Sequence, residues 1–329
     1  MTTELIAVIA RTVLTIAALA FGACAAAGCG SRGSDSATGS RTASVAKTTA
    51  RPGTDKPAVT IGDKNFTEQF LLGQLYKQAL VAQGFNVSLN PNIGPTEVTI
   101  QALHSGRLGM YPEYLQTWNT TIAGDDQRFQ SAAGAYATGQ NYAIEHGFKL
   151  LRPTPFSNTS AIGVTQTYAS ENSLRSIGDL RATESTLVLG APPQFRESQA
   201  GLPALEQAYG LQPATFKALD VGAQYQALDQ GVVQAAGVNT TDAQLSSHSY
   251  RLLRDPQHAF GWGNVVPVVS AHVLAAEGPA FAATVDRVSA LLNMATIRRM
   301  NAAVDLFHKE PAMVAKQFLQ THGLIPTAS

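Results

Sequence analysis

The chain has 329 residues, 45% hydrophobic and 14% charged, which is enough apolar content for two domain cores and too much for a disordered chain. Its 23 basic and 23 acidic side chains cancel, which excludes the basic footprint of a nucleic-acid binder. Both cysteines, Cys24 and Cys29, precede the folded part, so that part has no disulfide and no thiolate chemistry.

Arg11 is followed by an apolar run over 12–21 and then by small residues up to Cys29, the order of an export signal. The run is about half the ~20 residues that span a bilayer, which argues against a permanent transmembrane helix. Ala26-Ala27-Gly28-Cys29 resembles a bacterial lipobox, with Cys29 as the lipidated residue and Cys24 the weaker choice. Residues 1–10 carry Glu4 and no positive charge, which does not suit the start of a signal and leaves a downstream start open. A short uncleaved anchor is the alternative reading. Residues 30–57 are rich in Ser, Thr, Gly and Ala without apolar periodicity, and read as a flexible tether.

From residue 58 the pattern is that of alternating strands and helices. The β-branched run 58–62 predicts a strand. Phe70, Leu71, Leu75, Ala79 and Leu80 recur at helical spacing within 67–83, with Thr67 placed to cap the start. Strands follow at 86–89 and 108–111, around a helix over 96–105 that Thr96 would cap. A long helix over 127–145 precedes a strand at 149–151. The style repeats with strands at 161–165, 187–190, 216–219 and 231–238 and helices at 201–209 and 224–228. A strand at 265–269 and three helices close the chain, the last opened by Pro311. Two α/β blocks with a helical tail predict two lobes, with a ligand where strand ends and helix starts converge between them.

Several motifs line up in order: Ile61-Gly62-Asp63-Lys64-Asn65-Phe66-Thr67-Glu68-Gln69, Gly94-Pro95-Thr96-Glu97, Tyr111-Pro112-Glu113-Tyr114, Gly201-Leu202-Pro203-Ala204-Leu205 with Tyr209-Gly210, and Thr240-Thr241-Asp242. With the apolar strand around Pro267, this series resembles the glycine betaine, choline and carnitine binding proteins of ABC importers, over nearly all of 59–325. The resemblance implies an α/β, two-lobed periplasmic-binding-protein-like fold of type II topology with the ligand cleft between lobes. The implied layout is a signal over 1–29, the tether over 30–57, lobe 1 over 58–158 plus 267–329, and lobe 2 over 159–266. It also implies a small-molecule ligand, an ABC permease as partner, no cofactor, a monomer, and an extracytoplasmic place held to the membrane by the lipid.

A quaternary ammonium cannot donate a hydrogen bond, so such ligands are held by aromatic faces, each worth ~0.5–2 kcal/mol, and their carboxylate wants a cation. By the resemblance, Lys64 stands at the family's basic position, Tyr114 at a cage position and Thr117 at a polar one. Lys64 also follows a strand-ending Gly and precedes a helix start, where an anion would sit; an exposed surface lysine is the alternative. Other positions depart from the pattern. Ser160, Asn239 and Gly263 stand where the family has aromatics, and Ser198 stands near the expected arginine with Arg196 two residues earlier. The expected cage is therefore largely dismantled, and either the ligand differs or another cage replaces it.

Trp118 and Trp262 lie beside family site positions and offer cation–π or sugar-stacking faces, with core packing the alternative. Asn158 and Asp242 are polar candidates. Glu68 and Glu97 fall in first helical turns and read as dipole-stabilising acids, and Glu113 as either a permease contact or a fold-stabilising acid. The seven histidines show no metal-ligand spacing, and no G-x-S-x-G, P-loop or dinucleotide motif occurs. A solute-binding protein is the leading expectation. A sensing or adhesive surface lipoprotein with a degenerate cleft is second, and an enzyme on the same fold third.

Overall fold

In the computed structural model, which describes residues 50–327, the first β-branched run forms β1 (Ala58–Gly62). Cys24, Cys29 and most of the tether lie outside the described residues. The tether reading fails over its last residues. The Gly53 amide donates to the Gln83 carbonyl (3.0 Å) and Lys56 Nζ to the Ala276 carbonyl (2.9 Å), which fastens this stretch to the first lobe.

Lobe 1 continues with α1 (Thr67–Ala82), β2 (Asn86–Asn90), α2 (Thr96–His104) and β3 (Met110–Tyr114). The short α3 (Leu115–Thr117) runs into a π-helical turn over Trp118–Ile122, followed by α4 (Ala132–Glu145) and β4 (Phe148–Leu150). The chain then crosses to lobe 2, with β5 (Ser160–Thr165), α5 (Gln166–Glu171), 3-10 turns over Ile177–Thr186 and β6 (Val188–Ala191). There follow α6 (Leu202–Tyr209), β7 (Thr215–Ala218), α7 (Gln224–Asp229), β8 (Ala235–Asn239) and β9 (Tyr250–Leu252). It returns as β10 (Val265–Ser270) and ends in α8 (Ala271–Glu277), α9 (Pro279–Leu291), α10 (Met294–Asp305) and α11 (Pro311–Thr321). Four closing helices therefore stand where three are expected, because Gly278 at φ +82° breaks the first of them in two.

The sheets share one plan. Their orders are β2-β1-β3-β10-β4 and β7-β6-β8-β5-β9, and in each the strand that arrives by crossing is antiparallel to its neighbours. This exchange of one strand per lobe is the type II arrangement. In the first sheet Pro112 lies opposite Pro267, so the two missing N–H groups fall at one rung of the ladder.

Local chemistry explains where the elements start. The helix expected from residue 127 begins at 132, because Ser131 Oγ accepts the Gly134 amide (3.1 Å) and caps it there. Neither threonine read as a cap serves as one. Thr67 Oγ1 donates to Asp305 (2.6 Å) and the Thr96 hydroxyl turns to Lys64 and Glu113. The segment 111–114 is the third strand itself, buried throughout between β1 and β10.

Lobe 1 packs on both faces of its sheet. Leu71, Leu75, Tyr76 and Leu80 of α1 meet Phe281, Val285 and Val288 of α9 on one face, and Trp118, Leu115 and Phe148 gather on the other. Lobe 2 has its own core around Ile162, Leu180, Leu189 and Leu205. Each lobe thus has its own core, in which a fully buried large side chain contributes ~1.5–3 kcal/mol.

Asp63, directly after β1, fixes the 90–93 loop through the Asn92 amide (2.6 Å), yet it is fully buried and its Oδ2 has no hydrogen-bond partner. Burial pushes its pKa up to about 6. A carboxyl whose folded pKa is raised contributes stability below its unfolded value, and that contribution is lost as pH rises through about 6. Asp63→Asn is therefore expected to stabilise the protein above pH 6 by up to roughly 3 kcal/mol and to have little effect near pH 4. Urea unfolding of both proteins across pH 4–8 checks this.

Candidate functional site

Parallel strands deliver their carboxyl ends to one edge of a sheet, and the cleft lies where the two such edges meet. Lys64 and Phe66 follow β1, Tyr114 ends β3, and Gln116 and Thr117 follow it. Across from them stand Ser160 and Asn239, paired with each other at the ends of β5 and β8. Asn158, Thr159 and Phe260 come from the crossing segments, and together these residues line a cavity of about 310 Å³. A second cavity of about 220 Å³ continues into lobe 2 past Ser160 and Asn239, along Phe195, Gln194 and Ser198.

The crossing segments are held to each other. The Asn158 amide donates to the Gly263 carbonyl (2.9 Å), the Gly263 amide to Ser157 Oγ (2.9 Å), and Ser157 bridges Asn264. Thr240 Oγ1 receives the Thr159 amide (3.0 Å) and donates to the Ser157 carbonyl (2.6 Å). From α10, Arg298 Nε reaches the Thr240 carbonyl (2.7 Å) and Asn301 Nδ2 the Thr241 carbonyl (2.9 Å). A side chain at Gly263 would place its Cβ 1.9 Å from the Asn158 carbonyl, so no aromatic can stand there while this pairing holds.

Two buried acids organise the lobe 1 wall: Glu113 takes the fold-stabilising role of the two expected for it, and Glu68 does more than its expected one. Glu113 is fully buried and ion-paired with Lys64, so it is no surface contact. Thr96 completes a triangle, accepting from Lys64 Nζ (3.2 Å) and donating to Glu113 (3.2 Å). The Lys64 charge is thereby compensated inside the protein, with its ammonium 5.0 Å from the Tyr114 ring centroid and 5.9 Å from that of Phe66. Glu68 does more than complement a helix dipole. Its carboxylate accepts from Tyr114 Oη (2.8 Å), Asn158 Nδ2 (3.0 Å) and Asn301 Nδ2 (2.9 Å). Burial raises the Glu68 pKa while these donors pull it down. Burial, with Glu68 alongside, also holds the Tyr114 phenol well above its usual value, so it stays a donor.

Of the residues singled out in the sequence, the structure brings Lys64, Tyr114, Thr117, Asn158, Ser160 and Asn239 around one cavity. It places three others elsewhere. Trp118 is fully buried, its Nε1 bonded to the Gly139 carbonyl (2.9 Å) and its ring packed on Tyr142 and Phe148, so it belongs to the core. Arg196 is exposed and lies over the Phe216 ring (5.6 Å), outside the cavity. Trp262 lines a neighbouring chamber. Asp242 turns to the Asn239 amide and Tyr225 Oη (both 3.0 Å) rather than to the cavity. Glu97 is exposed in the first turn of α2, where a carboxylate suits the helix dipole.

Sequence reasoning missed Phe66 and Phe260. Phe66 sits inside the 61–69 motif, and 39% of it is exposed although it is a large apolar ring. It stacks beside Tyr114 at 6.0 Å and 25°. Phe260 directly precedes the Gly261-Trp262-Gly263 stretch. Three aromatic residues thus line one cavity despite the departures at Ser160, Asn239 and Gly263, with Tyr114 and Phe260 otherwise buried in the two lobe cores.

Residues 57–321 match the family OpuAC, the substrate binding domain of ABC-type glycine betaine transport systems. The chain belongs to this family. It is 30% identical to the glycine-betaine-binding protein of Pseudomonas aeruginosa, over 80% of this chain and 88% of that one. It is also 30% identical to the glycine betaine-binding protein YehZ of Escherichia coli, over 80% and 90% of the two chains. A crystal structure described as a glycine betaine/carnitine/choline ABC transporter superposes with a TM-score of 0.75 at 21% identity, covering 81% of this chain and 99% of that one, which fits the fold described above. As a member of the OpuAC family, the protein is an extracytoplasmic substrate-binding component that works with a small-molecule ligand and an importer permease. Among the described residues, no helix is long and apolar enough to cross a membrane, and no group of three or more His, Cys, Asp or Glu is placed to hold a metal ion.

The Lys64–Glu113 pair makes a direct prediction. Removing one partner of a buried pair leaves an uncompensated charge, so Lys64→Met is expected to cost about 3–5 kcal/mol. The double variant Lys64→Met/Glu113→Leu is expected to recover most of that loss. A urea-unfolding double-mutant cycle measures the coupling, and additive costs would show that the two charges do not depend on each other.

Proposed function

We propose that this protein binds a small quaternary-ammonium solute of the betaine class in the cleft between its lobes and delivers it, by lobe closure, to an ABC importer. The observation that carries the reading is the convergence of Phe66, Tyr114 and Phe260 on a cavity that residues of both lobes line. Aromatic faces attract a cation that cannot hydrogen-bond, and the hydroxyls of Thr117 and Ser160 with the Asn239 amide supply polar groups for the other end. Lys64 adds a positive charge at the rim of the rings, though Glu113 offsets it. The curated relatives bind glycine betaine by name, which supports the same class. The three rings also weigh against a degenerate cleft, and the family assignment weighs against catalysis.

Closure is the means by which such a ligand reports itself. The cavity is lined from both lobes, so a ligand that touches both favours the closed arrangement and shifts the equilibrium toward it. The protein acts as a monomer in this reading, and Cys29 carries the lipid that holds it at the membrane surface. Replacing Cys29 with Ser is expected to abolish incorporation of labelled fatty acid, and labelling that persists until Cys24 is also replaced would move the anchor to Cys24.

Calorimetric titration with glycine betaine is expected to give one site per chain. Phe66→Ala should weaken binding roughly five- to thirty-fold, the loss of one cation–π face of about 1–2 kcal/mol, without lowering stability. Unchanged affinity in Phe66→Ala and Phe260→Ala alike would refute the aromatic site.

A further inference from the structure

The aromatic cavity already has a cation in its wall. Lys64 is the one charged side chain among the described residues that line it. Its ammonium lies 5.0 Å from the Tyr114 ring centroid and 5.9 Å from that of Phe66, two of the rings that a ligand cation would need. Glu113, which pairs with this lysine, is fully buried and does not line the cavity. The Glu113 carboxylate is held from several sides. Its Oε1 accepts from Lys64 and from the Tyr114 amide (2.8 Å), and its Oε2 from the Thr96 hydroxyl (3.2 Å). Thr96 in turn accepts from Lys64 Nζ (3.2 Å), so two of the three ammonium N–H groups are committed to this triangle. Glu68, the other buried acid nearby, directs its oxygens to Tyr114, Asn158 and Asn301. Among the described residues, Glu113 is the sole ion-pair partner of Lys64.

We propose that Glu113 is a positioning residue that sets the charge selectivity of the aromatic cavity, by neutralising Lys64 and so keeping its charge from the ligand. The inference rests on the quaternary-amine reading above and adds to it the residue that decides how the site responds to a ligand's second charge. An unpaired ammonium in a poorly hydrated wall would repel a ligand cation placed on the same rings and would attract a ligand carboxylate. Paired, it does neither. Glu113 occupies the place of the anion that the sequence assigns to a ligand at Lys64. A quaternary amine with a carboxylate and one without then meet the rings on equal terms. Choice between them falls to the neutral groups of the lining, among them Thr117, Ser160 and Asn239. Glu113 does this without touching the ligand, from the strand that also carries the ring of Tyr114.

The test is calorimetric titration of the full chain with choline and with glycine betaine, read as the ratio of the two dissociation constants. The two compounds share a trimethylammonium group and differ in the carboxylate. Glu113→Gln keeps the shape of the side chain and removes its charge. In that variant the ratio of the choline Kd to the glycine betaine Kd is expected to rise at least about tenfold over the native value, with choline losing the more. In Lys64→Met/Glu113→Leu the ratio is expected to return to within about threefold of the native one, whatever each affinity does by itself. A merely structural role for Glu113 would weaken both compounds in parallel, so an unchanged ratio in Glu113→Gln would overturn the proposal and leave the aromatic site standing. If Glu113→Gln does not fold, the double variant decides. A loss of glycine betaine affinity relative to choline of about tenfold or more would show that Lys64 reads the carboxylate in the native protein, and would overturn the proposal. Binding of neither compound to the native protein would overturn the quaternary-amine reading and this inference with it.

Discussion

A carboxylate taken out of water must be met by donors, and Glu68 obtains three of them from three distant parts of the chain. Tyr114 ends the third strand, Asn158 lies in the segment that crosses to lobe 2, and Asn301 comes from a helix near the C-terminus. Each bond to a charged group is worth about 1.5–3 kcal/mol net, and an unmet buried carboxylate costs more than any one of them. The ring of Tyr114 therefore cannot shift, nor the crossing segment slide, without costing this acid one of its three donors. Asn301 extends the constraint to the Thr241 carbonyl of lobe 2. One side chain in the first turn of α1 thus ties an aromatic wall of the cavity to the segments about which the lobes would move.

The Lys64–Glu113–Thr96 triangle has a related part beside it. A lysine at the mouth of a cavity for cations would repel its own ligand, and the paired glutamate removes that penalty while leaving the ammonium against two aromatic rings. The Lys64–Glu113 pair is then neutral by itself, and Glu68 beside it is met by neutral donors alone.

Much of this was legible in the sequence, and the reasons for the rest are physical. Strands and helices follow from periodicity, so 58–62, 67–83 and 265–269 could be read to within a residue or two. The order of short motifs carried the type II topology, which periodicity alone does not give. What could not be read are the partners of buried groups. Glu68 looked like an ordinary first-turn acid because its donors lie 46, 90 and 233 residues away. Trp118 looked like a ligand face, but the turn that follows Thr117 is π-helical and Trp118 ends in the core against Phe148. Phe66 was in plain view within a motif whose lysine drew the attention, although an apolar residue between a strand end and a helix start already had no obvious core to join. The departures at Ser160, Asn239 and Gly263 stand, and the two further aromatic residues that line the cavity, Phe66 and Phe260, come from other points of the chain.

Small-angle scattering of the protein with and without saturating glycine betaine tests the central claim most directly. If the ligand sits between the lobes and draws them together, the radius of gyration falls as ligand is added and levels off at one equivalent bound. Calorimetric binding with a scattering curve that does not change would contradict closure, and would place the ligand where only one lobe can feel it.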